Sequence, residues 1–86
     1  MLEKSYPADF LQVILGVHDR NAEFVERQLG VRVSSRGEVL FLSGAPDSEV
    51  ACGEAMEQLF ALHRAGMRVG ASDLKTVINL RQEGFQ

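Results

Sequence analysis

Residues 16–44, GVHDRNAEFVERQLGVRVSSRGEVLFLSG, constrain the fold more than any other part of the chain. They read as a glycine-led turn, a short helix stopped by glycine, and two strands joined by a tight turn. Ala22, Val25 and Leu29 fall at i, i+3 and i+7 and are expected to face a core. Glu23 and Arg27 stand four apart in the favourable acid-first order. Asp19 is expected to cap this helix, because its carboxylate can accept the orphan N–H bonds, and Asn21 is a competing cap. Gly30 suits the position after the last turn, where only glycine enters the left-handed conformation cheaply. Val31-Arg32-Val33 alternates and opens a strand, Arg36-Gly37-Glu38 forms the hairpin turn, and Val39-Leu40-Phe41-Leu42 is the next strand, apolar on both faces.

The flanks extend this frame. Residues 2–6 predict a short first strand. Pro7 suits a helix start, and residues 8–15 place Phe10, Leu11, Ile14 and Leu15 on one side before Gly16. Pro46 opens the longest helix, which is expected to run to Arg64 and close at Gly66. Val50, Gly53, Met56, Phe60 and His63 mark one side of it, widened by Leu59. Ser72 is expected to cap a last helix carrying Leu74, Val77, Ile78 and Arg81 at i, i+3, i+4 and i+7. The order β-α-α-β-β-α-α defines an α+β domain over residues 1–82, a three-stranded sheet with helices on one face, and residues 83–86 read as a loose tail.

At 86 residues, folding buries roughly 60–65% of the unfolded chain's surface, which supports one modest core. No apolar run approaches the ~18 residues of a membrane span, and the N-terminus lacks a signal-peptide layout. The single Cys52 has no internal disulfide partner and is expected to be a reduced, buried, small apolar residue, which points to a cytoplasmic protein. The net charge of −3 excludes a strongly basic nucleic-acid binder. Any such binding must come from a local patch, and must be weak and salt-sensitive.

The β-α-α-β-β-α order is the layout of a KH-type RNA-binding module, with the last helix an addition. Gly16, Asp19 and Asn21, then Leu29-Gly30-Val31, Arg36-Gly37, Ser43-Gly44, Val50 and the Ser72-Asp73-Leu74 helix start come in an order and spacing that closely resemble the N-terminal domain of the PhoH-like proteins. These are bacterial predicted ATPases linked to phosphate starvation and RNA metabolism. The resemblance covers about residues 10–80. It implies a KH-like fold with Leu40 and Leu42 inward and Val39 and Phe41 on the open face of the sheet. It also implies that ATP and Mg belong to the family's nucleotide-binding domain, which is absent from these residues and would follow them in a longer parent.

The residues agree that this segment carries no ATP chemistry of its own. A phosphate loop needs G-x-x-x-x-G-K-[ST], whereas Gly66 and Gly70 are wrongly spaced, Ala71 stands where lysine is required, and the only lysines are Lys4 and Lys75. His18 and His63 are isolated, one cysteine makes no zinc site, and no nucleophile–base spacing appears, so neither an enzyme nor a cofactor is expected. In KH domains a G-x-x-G turn brings backbone close to RNA phosphates. The matching turn is Gly16-Val17-His18-Asp19, where aspartate replaces the second glycine and would repel a phosphate. Arg20 and Arg27 flank Phe24 along the helix, and Arg32 and Arg36 add charge nearby. Gly16, His18, Arg20, Phe24, Arg27, Arg32 and Arg36 are therefore the candidate contacts for single-stranded RNA. The bland alternative makes Phe24 a core-rim residue and the arginines ion-pair partners. The second functional reading is docking without RNA: Val39 and Phe41 would meet the ATPase domain or a second copy, unless the last helix folds over them.

Overall fold

The computed structural model describes residues 1–83. Gly37 and Glu38 form a two-residue turn between β2 (Arg32–Arg36) and β3 (Val39–Ser43), with Gly37 at φ 59°, a conformation that tight hairpins demand and glycine supplies. β1 (Leu2–Ser5) pairs with the other side of β3, giving an antiparallel sheet in the order β1-β3-β2. Leu2 lies opposite Leu42, and Val33 lies opposite Leu42 from the other side, so one face of the sheet is apolar across all three strands.

The helices cover that face. α1 (Ala8–Leu15), α2 (Arg20–Leu29), α3 (Pro46–Arg64) and α4 (Ala71–Glu83) follow in chain order, with a tight turn, Val17–Asp19, between α1 and α2. Leu40, Leu42, Val25, Met56, Leu59, Leu74 and Ile78 are fully buried, each worth about 1.5–3 kcal/mol of burial. Tyr6, Phe10 and Phe60 form an aromatic cluster with ring centres 4.9–5.0 Å apart. The α+β architecture with helices on one face is as the hydrophobic pattern requires. Of the tail expected at residues 83–86, Glu83 belongs to α4, and residues 84–86 lie outside the described residues.

Three local expectations are corrected. Val50 is 57% exposed, not part of the core side of α3. The buried arc is instead Ala51, Cys52, Gly53, Ala55, Met56 and Leu59. Small residues dominate it because the helix lies very close to its neighbours: a Cβ on Gly53 would sit 2.9 Å from Leu2 Cδ2. Ser72 is not the cap of α4. The Gly70 carbonyl accepts from Leu74 N–H, and the Asp73 carboxylate accepts from Gly70 N–H at 2.9 Å. Nor does α4 cover the open face of the sheet, since it packs on α2 and α3 in the helix layer. Gly66 does close α3, at φ 87°, with Gly66 N–H on the His63 carbonyl and Met67 N–H on the Leu62 carbonyl.

Candidate functional site

The Gly16 turn is built by Asn21. Its Nδ2 donates to the Val13 carbonyl at 2.9 Å, tying the first turn of α2 to the end of α1, and the side chain is buried. Gly16 sits against it at φ 76° and ψ 178°, a region that only glycine occupies readily. A Cβ there would stand 2.8 Å from Asn21. This short connection drives His18 and Asp19 into the left-handed region, at φ 53° and 58°. Asp19 therefore occupies the capping position but makes no capping hydrogen bond, and Asn21 lies inside the helix. Both cap expectations are thereby corrected. Beside the turn lies a cleft of about 450 Å³, lined by Gln12, Gly16, Val17, Arg20 and the start of α4 at Gly70 and Ala71. His18 stands exposed on the turn.

Along α2 the expected cation–aromatic stripe is rearranged. Phe24 is half-buried and packs against the core. The cation over its ring is Lys75 of α4, with Nζ 5.7 Å from the ring centre, rather than Arg20 or Arg27. The expected Glu23–Arg27 ion pair does not form. Among the described residues no ion pair reaches Arg20, Arg27, Arg32 or Arg36. The ion pairs present involve other elements: Met1 amine with Glu49 at 3.3 Å, Lys4 with Glu57 at 2.9 Å, and Glu54 with Arg81 at 3.1 Å, while His63 Nε2 lies 3.3 Å from the Asp9 carboxylate. Gly44 N–H, donating to Glu49, and Lys4, donating to Glu57, hold those two carboxyls below their ordinary range.

Arg32 and Arg36 belong to a different surface from the Gly16 turn. On β2 they alternate with Val33, which faces the core, so they share the open face of the sheet with Phe41 and Val39. The register sets Ser34 and Glu3 on either side of Phe41, Arg36 and Ser5 on either side of Val39, and Arg32 beside Ser43. Val39 and Phe41 are half-buried, while Leu40 and Leu42 are sealed. The candidate residues thus split into two groups: Gly16, His18, Arg20, Phe24 and Arg27 on the turn and α2, and Arg32, Arg36, Val39 and Phe41 on the sheet.

Other reactive groups are locked in packing. Burial pushes the Cys52 thiol up to about 12. Burial, then the neighbouring Glu57 carboxylate, pushes the Tyr6 phenol up as well, and its hydroxyl has no hydrogen-bond partner of good geometry. His63 packs beside Phe10 and Phe60 at 5.3 and 6.2 Å between ring centres, while Arg64 covers Phe60. Among the described residues no cluster of three metal-binding side chains occurs, and no helix is long and apolar enough to cross a membrane. Lys75 over Phe24 and the Lys4–Glu57–Tyr6 group escape sequence reasoning, because each joins residues from elements distant in the chain. Comparison with protein-family models, with curated proteins and with solved structures finds no match.

Proposed function

We propose that this chain is a KH-like RNA-binding accessory domain, similar to the N-terminal domain of PhoH-like predicted ATPases, holding single-stranded RNA weakly along α2 and the neighbouring edge of β2. The observation that supports it is the set of arginines without ion-pair partners among the described residues, Arg20, Arg27, Arg32 and Arg36, on two elements that pack side by side. β2 is an edge strand, so its outer backbone groups are unpaired by the sheet and open to a ligand. Asp19, Glu23 and Glu26 lie on the same stretch, oppose phosphate, and keep the affinity low. In a PhoH-like parent, ATP and Mg would be handled by a separate domain, with this one positioning RNA; the buried Cys52 thiol fits a reducing, cytoplasmic setting. The test is a titration of labelled single-stranded RNA at about 50 and 200 mM salt, with NMR shifts mapped on the chain. Binding at tens of micromolar or weaker, lost steeply with salt and centred on residues 16–36, is the expected result. Absence of binding at low salt with several sequences overturns it.

A second reading is favoured by the half-open Val39 and Phe41. On it the chain docks on the ATPase domain or on a second copy and touches no RNA. Sedimentation of the chain at high micromolar concentration tests the self-association arm, and a strict monomer there counts against it.

A further inference from the structure

The open face of the sheet has a chemistry of its own, independent of the Gly16 turn. Phe41 is its central side chain, and Ser34 lies directly opposite on β2. Arg32 and Arg36 sit two positions either side of Ser34 on that strand, about 13 Å apart along it, and both are diagonal neighbours of Phe41. Neither arginine has an ion-pair partner among the described residues, and neither stacks on the ring. Among the described residues, the acid that the strand register places in this array is Glu3, on the opposite edge strand.

The size of the face decides between occupants. Three strands span two inter-strand spacings, about 10 Å, and five residues run about 17 Å. Even with side-chain overhang this falls short of the ~800 Å² per partner that a stable protein interface buries. It is ample for one or two nucleobases, whose binding needs an aromatic platform and nearby cations. The asymmetry of charge then sets the path: Glu3 repels phosphate from the β1 side, and the arginines draw it to the β2 side.

We infer that the open sheet face is a base-stacking subsite for single-stranded nucleic acid, with a base on Phe41 and the flanking phosphates on Arg32 and Arg36. This rests on the RNA reading above and adds a contact surface to it, reached by a strand that crosses the free edge of β2.

The experiment uses the whole chain and a fluorescent oligouridine of about eight nucleotides at low salt. Phe41→Leu keeps the apolar bulk but removes the platform, and should weaken binding about five- to tenfold, with Phe41→Tyr restoring it. Arg32→Gln with Arg36→Gln should lower the salt slope by about 1–2. Glu3→Gln should tighten binding. Circular dichroism of each variant checks the fold, and the arginine and Glu3 changes touch no core residue. Binding by the wild-type chain that is unchanged in Phe41→Leu and in the double arginine variant overturns the subsite and confines the RNA reading to Arg20 and Arg27 on α2. No binding by the wild-type chain overturns both. Phe41→Leu abolishing self-association with RNA affinity unchanged makes the face a protein interface and also overturns the subsite.

Discussion

Leu40 and Leu42 are sealed in the core, while Val39 and Phe41, alternating with them on the same strand, stay half open. The two faces of β3 are similarly apolar in sequence. What separates them is the helix layer, which covers one face and leaves the other to Arg32, Arg36 and Glu3. The charges divide in a related way. Among the described residues, α3 contributes a partner to each carboxylate–cation pair, through Glu49, Glu54 and Glu57, and its His63 faces Asp9, whereas the arginines of α2 and β2 have none. The α3 side of the helix layer is closed both apolarly and electrostatically, while the open sheet face and the arginines of α2 keep interactions to offer.

The sharpest way to break this contrast is a matched pair of substitutions. Leu40→Ala should destabilise the fold by about 2–5 kcal/mol, as emptied core sites do. Phe41→Ser, one residue away, should cost about 1 kcal/mol or less. Equal losses in urea unfolding would erase the distinction between the faces.

Alkaline pH probes the closed side. The Cys52 thiol rises from an ordinary 9.0 to about 12 on folding, so the unfolded chain loses this proton first. The stability tied to the neutral thiol is complete below pH 9.0 and declines from there toward about 12, by roughly 1 kcal/mol per pH unit. Cys52→Ala should flatten the decline measured between these values, leaving the part due to Tyr6, which has the same sign and sets in above its ordinary 10.0.

The Gly16 turn joins α1 to α2 in the helix layer, away from the open face, and carries backbone strain. Asp19→Gly should stabilise the chain by up to about 1 kcal/mol in thermal unfolding, because glycine adopts φ 58° without the penalty that an L residue meets there. A loss of a few tenths of a kcal/mol, as replacing a helix cap by glycine would give, would contradict the turn geometry. Smallest of all, Arg81→Ala should change stability by about 0.5 kcal/mol or less, since its contacts to Glu54 and Gln58 are solvent-exposed.

Much of this fold was legible because its signals are local. The bounds of α1 and α3, the glycine stops at Gly30 and Gly66, and the Gly37 turn all follow from residues adjacent in the chain. The inward face of α3 was misjudged because pattern reading weighs large apolar residues, while close packing on several sides selects Ala51, Gly53 and Ala55 instead. The caps failed for a related reason: Asn21 reaches back to α1, and Asp73 rather than Ser72 secures the start of α4. The site residues were nameable as types, but their division between two surfaces depends on strand register. No spacing rule brings Lys75 to Phe24 across 51 positions of chain.

Gly53 bears on how the chain reaches this structure. By admitting Leu2 against α3, it lets β1 complete the sheet, yet β1 meets β3 only across the separation from Leu2 to Leu42. The β2–β3 hairpin closes over two residues and has no such loop entropy to overcome. β1 is therefore expected to join after the rate-limiting barrier. Leu2→Ala should accelerate unfolding in stopped-flow measurements and leave the folding rate nearly unchanged, whereas slowed folding would place β1 in the nucleus. The N-terminal strand would then be the element that governs how long the native state lasts, rather than how quickly it forms.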